Sequence, residues 1–218
     1  MALALHHRLR LNHFSNHSRP HLIVTGGSGF LGQNVVKFLS SRGLVGTVID
    51  LREPTDPGVM EIFRRGAWSF HQCDFSVSGS LRKVSLPEGP LYLVHIASKV
   101  HTSNALTPQV MTELQTQVSG IFPLLDHLSP CLKGVVVTST IETYGFPKSH
   151  PIDETHPTDP FNIYGAVKLT LEYFLNVHCH KKNLPLAIFR LPQIYGPGDT
   201  YAKAIPTFIQ NCLRAIGA

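Results

Sequence analysis

The sequence predicts an α/β domain built as a doubly wound parallel sheet, and two features carry that expectation. Short apolar runs alternate with amphipathic stretches along most of the 218 residues, the pattern of repeated βαβ units. The first apolar run, His21 to Val24, feeds the glycine-rich turn TGGSGFLG, Thr25 to Gly32, which in turn opens a helical pattern. A strand, a tight turn and a helix N-terminus in that order form a cradle for a diphosphate, because backbone N–H groups and the helix dipole converge on the same spot.

Gly26, Gly29 and Gly32 have GxxGxxG spacing. Gly26 suits the tight turn, Gly29 a close backbone approach to phosphate, and Gly32 the packing of helix against sheet. The second strand, Val45 to Asp50, ends in a carboxylate 24 residues beyond Gly26, where a ribose 2′-hydroxyl needs an acceptor. That favours NAD over NADP, although Arg52 is placed to meet a 2′-phosphate if its loop bends inward.

The first strand is expected over His21 to Thr25, and the remaining strands at Trp68 to Cys73, Leu91 to His95, Gly134 to Ser139 and Leu186 to Leu191. Helices are expected at Leu31 to Ser41, briefly near Leu81, at Pro108 to Leu128, at Pro160 to Lys181 and at about Ala204 to Ala215. The organisation is a flexible basic arm over residues 1–20, a dinucleotide-binding domain over 21–200, and the start of a further lobe over 201–218.

Composition narrows the function. The formal charge of +5 owes three cations to an acid-free arm; without Arg8, Arg10 and Arg19, 16 of the 19 basic residues face 14 acids. The surplus of +2 is too mild for a nucleic-acid footprint, and aromatics do not interleave with basic runs. No apolar stretch is long enough to span a bilayer. Cys73, Cys131, Cys179 and Cys212 are scattered as in reduced cytoplasmic proteins, and the adjacent side chains of His178-Cys179-His180 diverge too far on a helix to close on one metal ion. The arm, rich in His, Arg and Ser, also has some features of an organelle transit peptide.

Chemistry is concentrated in the helix carrying Tyr164-Gly165-Ala166-Val167-Lys168. Residues four apart share a helix face, so the Lys168 ammonium can sit beneath the Tyr164 phenol. Tyr has an ordinary pKa of about 10, and a nearby cation favours the phenolate needed to take a proton from an alcohol. Twenty-four residues earlier, the strand end Thr138-Ser139-Thr140 supplies a hydroxyl that can share the substrate's hydrogen bond.

Together these motifs resemble the extended short-chain dehydrogenase/reductases, specifically the NAD-dependent epimerase/dehydratase family acting on nucleotide sugars. The likeness covers about Leu22 to Asp199 and rests on TGGSGFLG, Asp50, the CDF at Cys73 to Phe75, the HIAS at His95 to Ser98, TSTIETYG, YGAVK and RLPQIYGPGD at Arg190 to Asp199. It implies a Rossmann-type sheet and a catalytic trio of Thr140, Tyr164 and Lys168. Gly26, Gly29, Phe30, Leu31, Gly32, Asp50, Asp74, Phe75, Ala97, Ser98 and Pro192 would bind the cofactor, with Asp74 and Phe75 beside adenine and Pro192 near the nicotinamide. It also implies a homodimer paired through Pro108 to Leu128 and Pro160 to Lys181.

Glu142 aligns with an acid that works near the sugar ring in relatives, or is a solvated loop acid here. Ile141 replaces the Asp that would protonate a leaving hydroxyl, which favours epimerisation over elimination. Gln117 and Gln193 stand where Asn is usual, each displacing an amide by about 1.5 Å. Family members continue for about a hundred further residues that build a substrate lobe, so a truncated chain is expected to bind NAD with little turnover. The alternatives are a 3β-hydroxysteroid dehydrogenase-like oxidoreductase and a catalytically silent NAD-binding module.

Overall fold

The structure, a computed structural model, describes residues 19–77, 79–98, 107–199 and 204–215. Most of the basic arm lies outside them. Six strands form one parallel sheet: β1 (His21–Thr25), β2 (Val45–Asp50), β3 (Trp68–Gln72), β4 (Leu91–His95), β5 (Leu132–Thr140) and β6 (Leu186–Leu191). Their spatial order is β3-β2-β1-β4-β5-β6. The chain winds outward one way from β1, returns, and winds outward the other way from β4, so a crevice opens between the carboxyl ends of β1 and β4.

The helices are α1 (Phe30–Ser41), α2 (Pro57–Arg64), α3 (Pro108–Ser119), α4 (Ile121–Leu128), α5 (Ile163–Lys181) and α6 (Ala204–Ala215). They cover the sheet through two buried clusters. Val24, Val36, Val48, Val59 and Trp68 fill the side under α1 and α2. A larger cluster including Ile23, Ile49, Leu93, Leu124, Leu128, Val135 and Leu175 fills the other.

The structure departs from the sequence reading in several places, each with a local cause. The helix expected over Pro108 to Leu128 is two, meeting at Gly120. Pro123 has no N–H to give to the Ser119 carbonyl, so the hydrogen-bond ladder breaks there. The helix expected from Pro160 begins at Ile163, because Asn162 caps it by accepting the Gly165 N–H at 2.8 Å. Helix α2 escaped the periodicity reading because it spans only eight residues, although Asp56 accepting from Gly58 and Val59, followed by Pro57, is a helix-start signature. Near Leu81 the chain makes a single 3-10 turn, Ser80–Lys83. A second 3-10 turn, Ile141–Tyr144, follows β5 directly.

Candidate active site

The glycine turn closes on β4 with no room to spare. Gly26 has φ of 73°, and a Cβ there would lie 2.5 Å from the Ala97 nitrogen; a Cβ on Gly32 would lie 2.0 Å from the Gly26 carbonyl oxygen. Gly29 is different: a Cβ there would meet only that same oxygen, at 3.4 Å. Gly29 caps α1 with no side-chain hydrogen bond, and the first turn, which includes Phe30 and Leu31, contains no acid. The positive end of the helix dipole is therefore left for an anion. Ser28 Oγ is buried without a hydrogen-bond partner among the described residues, and its N–H is given to Asp50 Oδ2 at 2.9 Å.

Asp50 stands at the end of β2 with Oδ1 also accepting the Arg52 N–H, at 3.3 Å. Two contacts leave a carboxylate further acceptor capacity for a ribose diol. Asp74 is exposed and folds back on Ser76, while Phe75 sets its ring edge-on to His95 at 5.9 Å. Pro192 is exposed just beyond β6, in a loop that reaches back to α1, where the Phe30 ring lies 3.8 Å from a Cβ placed on Gly196. An uncapped helix end, an orphaned buried hydroxyl and an acid at the second strand's tip fit a dinucleotide.

On the other side of the crevice, Ala97 leads to Ser98, whose side chain hydrogen-bonds the Tyr164 phenol and also donates to Gln117 at 3.0 Å. The glycine turn and the phenol are thus joined through two consecutive residues. Thr140 ends β5, where its hydroxyl accepts the Glu142 N–H at 3.2 Å and so starts the 3-10 turn. Glu142 Oε2 receives the Asn162 side-chain amide at 2.5 Å. Gly165 makes this approach possible, since a Cβ there would lie 2.6 Å from the Glu142 carbonyl oxygen. Neither Asn162 nor Gly165 was singled out from sequence, although an Asn three residues before a Gly–Ala helical run is a capping signal.

The electrostatics correct one expectation. The Lys168 ammonium, only 3% exposed, donates to the Thr138 carbonyl oxygen at 2.9 Å, and the phenol four residues before it is not held below its ordinary value. Burial brings its pKa down to about 8, against an opposing pull from Glu172. Tyr164 is held above its ordinary value, first by burial and then by the Glu142 charge, with the Ser98 hydrogen bond working the other way. Behind them His95 is fully buried, bonded to Thr25 Oγ1 at 2.8 Å, and pushed down to about 3 by burial and by the Lys168 charge.

The strand order, the glycine turn and a Tyr–Lys helix beside a hydroxyl-bearing strand end define a dinucleotide-binding domain of the dehydrogenase/reductase type. The chain belongs to the NAD dependent epimerase/dehydratase family, whose model matches residues 22–216. It is 30% identical over 193 residues to a UDP-glucose 4-epimerase of Azospirillum brasilense, covering 86% of this chain and 53% of that protein. It is 27% identical over 207 residues to a probable dTDP-glucose 4,6-dehydratase of Sinorhizobium fredii, covering 88% and 58%. A dTDP-glucose 4,6-dehydratase from Streptomyces venezuelae, solved with NAD bound, superposes with a TM-score of 0.74 at 25% identity, over 89% of this chain and 62% of that one. The chain therefore spans somewhat more than half the length of these relatives.

Proposed function

We propose that this chain binds NAD in the crevice between β1 and β4 and takes part in the interconversion of a nucleotide sugar, with epimerisation as the favoured outcome. The observation that carries this reading is the continuity from Gly26 through Ala97 and Ser98 to Tyr164, which brings a diphosphate cradle and a proton-transfer group to one cleft. Gly26, Gly29, Phe30, Leu31 and Gly32 surround the diphosphate, Asp50 takes the adenosine ribose, and Asp74 and Phe75 flank the adenine. Ala97, Ser98 and Pro192 line the way to the nicotinamide. When bound, NAD supplies the acceptor that takes hydride from the sugar carbon and gives it back.

The chain's own residues handle the proton. Thr140 Oγ holds the sugar hydroxyl, and Tyr164 exchanges its proton. Ser98 favours the phenolate, while burial and Glu142 restore the phenol, and Lys168, one turn along the helix, holds the strand end at Thr138 beside them. Ile141, 45% exposed, offers no proton to a departing hydroxyl beside Glu142. Elimination is thereby disfavoured relative to interconversion.

We further propose a homodimer through α3 and α5. Their outer faces leave Met111, Tyr173, Phe174 and Val177 exposed, and a groove of about 430 Å³ lies between them, lined by residues such as Leu114, Val118 and Val167. Light scattering tests this: Tyr173→Asp should leave a monomer. Among the described residues no helix is long and apolar enough to cross a membrane.

The functional test is titration with NAD, then incubation with NAD and UDP-glucose, following the sugar by NMR. Appearance of the epimer without net NADH supports the reading. NADH accumulating with a sterol but not with sugar nucleotides overturns it, as does failure to bind NAD.

A further inference from the structure

A buried carboxylate lies behind the proposed site, in a position the proton transfer above does not use. Tyr164, Lys168 and Glu172 occur at successive four-residue steps along α5, so they share one face of the helix. Glu172 is 4% exposed. Arg190 on β6 meets it with Nε 3.2 Å from each carboxylate oxygen and Nη2 2.7 Å from Oε2. The Ser139 hydroxyl on β5 donates to Oε1. The far side of Arg190 is closed by the Tyr144 ring, 4.6 Å from the guanidinium carbon.

One carboxylate thus ties together three elements, and each carries a residue of the proposed site next to its anchor. Ser139 precedes Thr140, Lys168 is one turn from Glu172, and Arg190 is two residues from Pro192. Resting on the site assignment above, we propose that Glu172 is a positioning residue, which aligns Thr140, Lys168 and the loop after β6 and supplies the counter-charge that keeps the buried Lys168 ammonium protonated. Arg190 moderates that charge: it shares the carboxylate, so Lys168 is stabilised without being drawn into a closed ion pair with Glu172.

Among the described residues, the titratable and charged groups of the elements packed around Lys168 are these. On β4 His95 is neutral near pH 7, since burial holds it down to about 3. From α5 there are Tyr164, which rests as the neutral phenol, and Glu172. The Arg190 cation on β6 is engaged by Glu172, and the Glu142 carboxylate of the 3-10 turn acts on Tyr164. Glu172 is the group acting to keep the lysine charged against burial.

The experiment follows the side-chain NMR signal of Lys168, assigned by its loss in Lys168→Met, through a pH titration of the full chain without NAD or sugar. The wild-type midpoint is expected at about 8. Glu172→Gln removes the counter-charge and leaves the Arg190 cation unpaired, and the midpoint should fall by about one pH unit or more, a tenfold loss in the protonated-to-neutral ratio. Arg190→Gln frees the carboxylate and should raise the midpoint, and the double variant should fall between the two single variants. Shifts of opposite sign are not produced by a merely structural loosening. Should Glu172→Gln fail to fold, the direction seen in Arg190→Gln decides alone, and Glu172→Asp, which keeps the charge, should leave the midpoint near that of wild type. A midpoint unmoved by Glu172→Gln, or lowered by Arg190→Gln, overturns the proposal. Because NAD is absent, this result stands or falls separately from sugar turnover.

Discussion

The two wings of the sheet are finished to different degrees. The wing of β3, β2 and β1 is closed by its own helices: Val24, Val36, Val48 and Val59 are fully buried, and Trp68 nearly so. The wing of β5 and β6 ends in bare apolar surface. Along β6 every second residue of the first four is exposed, Phe189 to 54%, and α6 buries none of its residues while presenting Ile205, Phe208, Ile209 and Leu213. The difference separates two capacities. The proposed diphosphate cradle sits on the closed wing, whereas the proposed proton-transfer residues sit on the open one, where the Glu172, Arg190 and Ser139 contacts add buried polar ties to the apolar cluster under α5.

Changes on the two sides of the crevice should therefore have different signatures. The largest effect belongs to Tyr164→Phe, which removes the proposed proton-transfer group and leaves the cradle untouched. Epimer formation from UDP-glucose should fall by about 10² to 10⁴-fold while the NAD titration stays as in wild type. Weakened NAD binding with turnover retained would place the phenol outside the chemistry. Gly32→Ala should do the converse. Its methyl group would sit 2.0 Å from the Gly26 carbonyl oxygen, so the turn must open, at a cost of roughly 1–3 kcal/mol in stability together with loss of NAD affinity. Thermal unfolding and NAD titration on the same sample measure both.

A third prediction concerns the wall between the wings. An unfolded chain binds a proton at His95 near pH 6.5, and the folded chain only near about 3. Between those values the unfolded state carries more protons, so stability falls as pH drops through that window. The slope is at most about 1.4 kcal/mol per pH unit for one group. Urea unfolding at several pH values should show a steeper acid loss in wild type than in His95→Gln, which keeps a polar partner for Thr25 without the titration. Parallel curves would mean that His95 is hydrated and charged like any surface histidine.

Much of this was legible in the sequence because backbone geometry is encoded locally. The tight turn at Gly26 needs positive φ, and the four apolar-run strands β1, β2, β4 and β6 have the ends that the patterning gives them. Strand β5 runs longer than the expected Gly134 to Ser139, from Leu132 to Thr140, because Leu132 pairs with Leu91 on β4 at one end and Thr140 pairs with Leu191 on β6 at the other. Tertiary contacts were harder to read. Residues four apart on α5 correctly share a face, yet spacing does not say where a flexible ammonium points. Lys168 is aimed at the Thr138 carbonyl because that oxygen is a near acceptor in a buried setting, and Glu172 is held by Arg190 from a strand 18 residues away. Such partners depend on the order of strands in the sheet, which no local pattern contains.

The smallest predicted effect probes how the open wing holds the proposed catalytic face. Asn162 does two things at once: its side-chain oxygen caps α5 through the Gly165 N–H, and its amide group donates to Glu142. Asn162→Ala removes both and should cost about 1 kcal/mol in urea unfolding, the usual value of a lost cap. Asn162→Asp separates them. The aspartate still caps, and its charge suits the helix N-terminus, but it sets a second carboxylate against Glu142 in place of a donor. If capping alone matters, Asn162→Asp is as stable as wild type and retains its activity. If Glu142 must be held in place to work beside Tyr164, the stability of the cap is recovered while turnover is not. That outcome would make Glu142 a working member of the site, the one assignment the sequence left balanced between a functional acid and a solvated one.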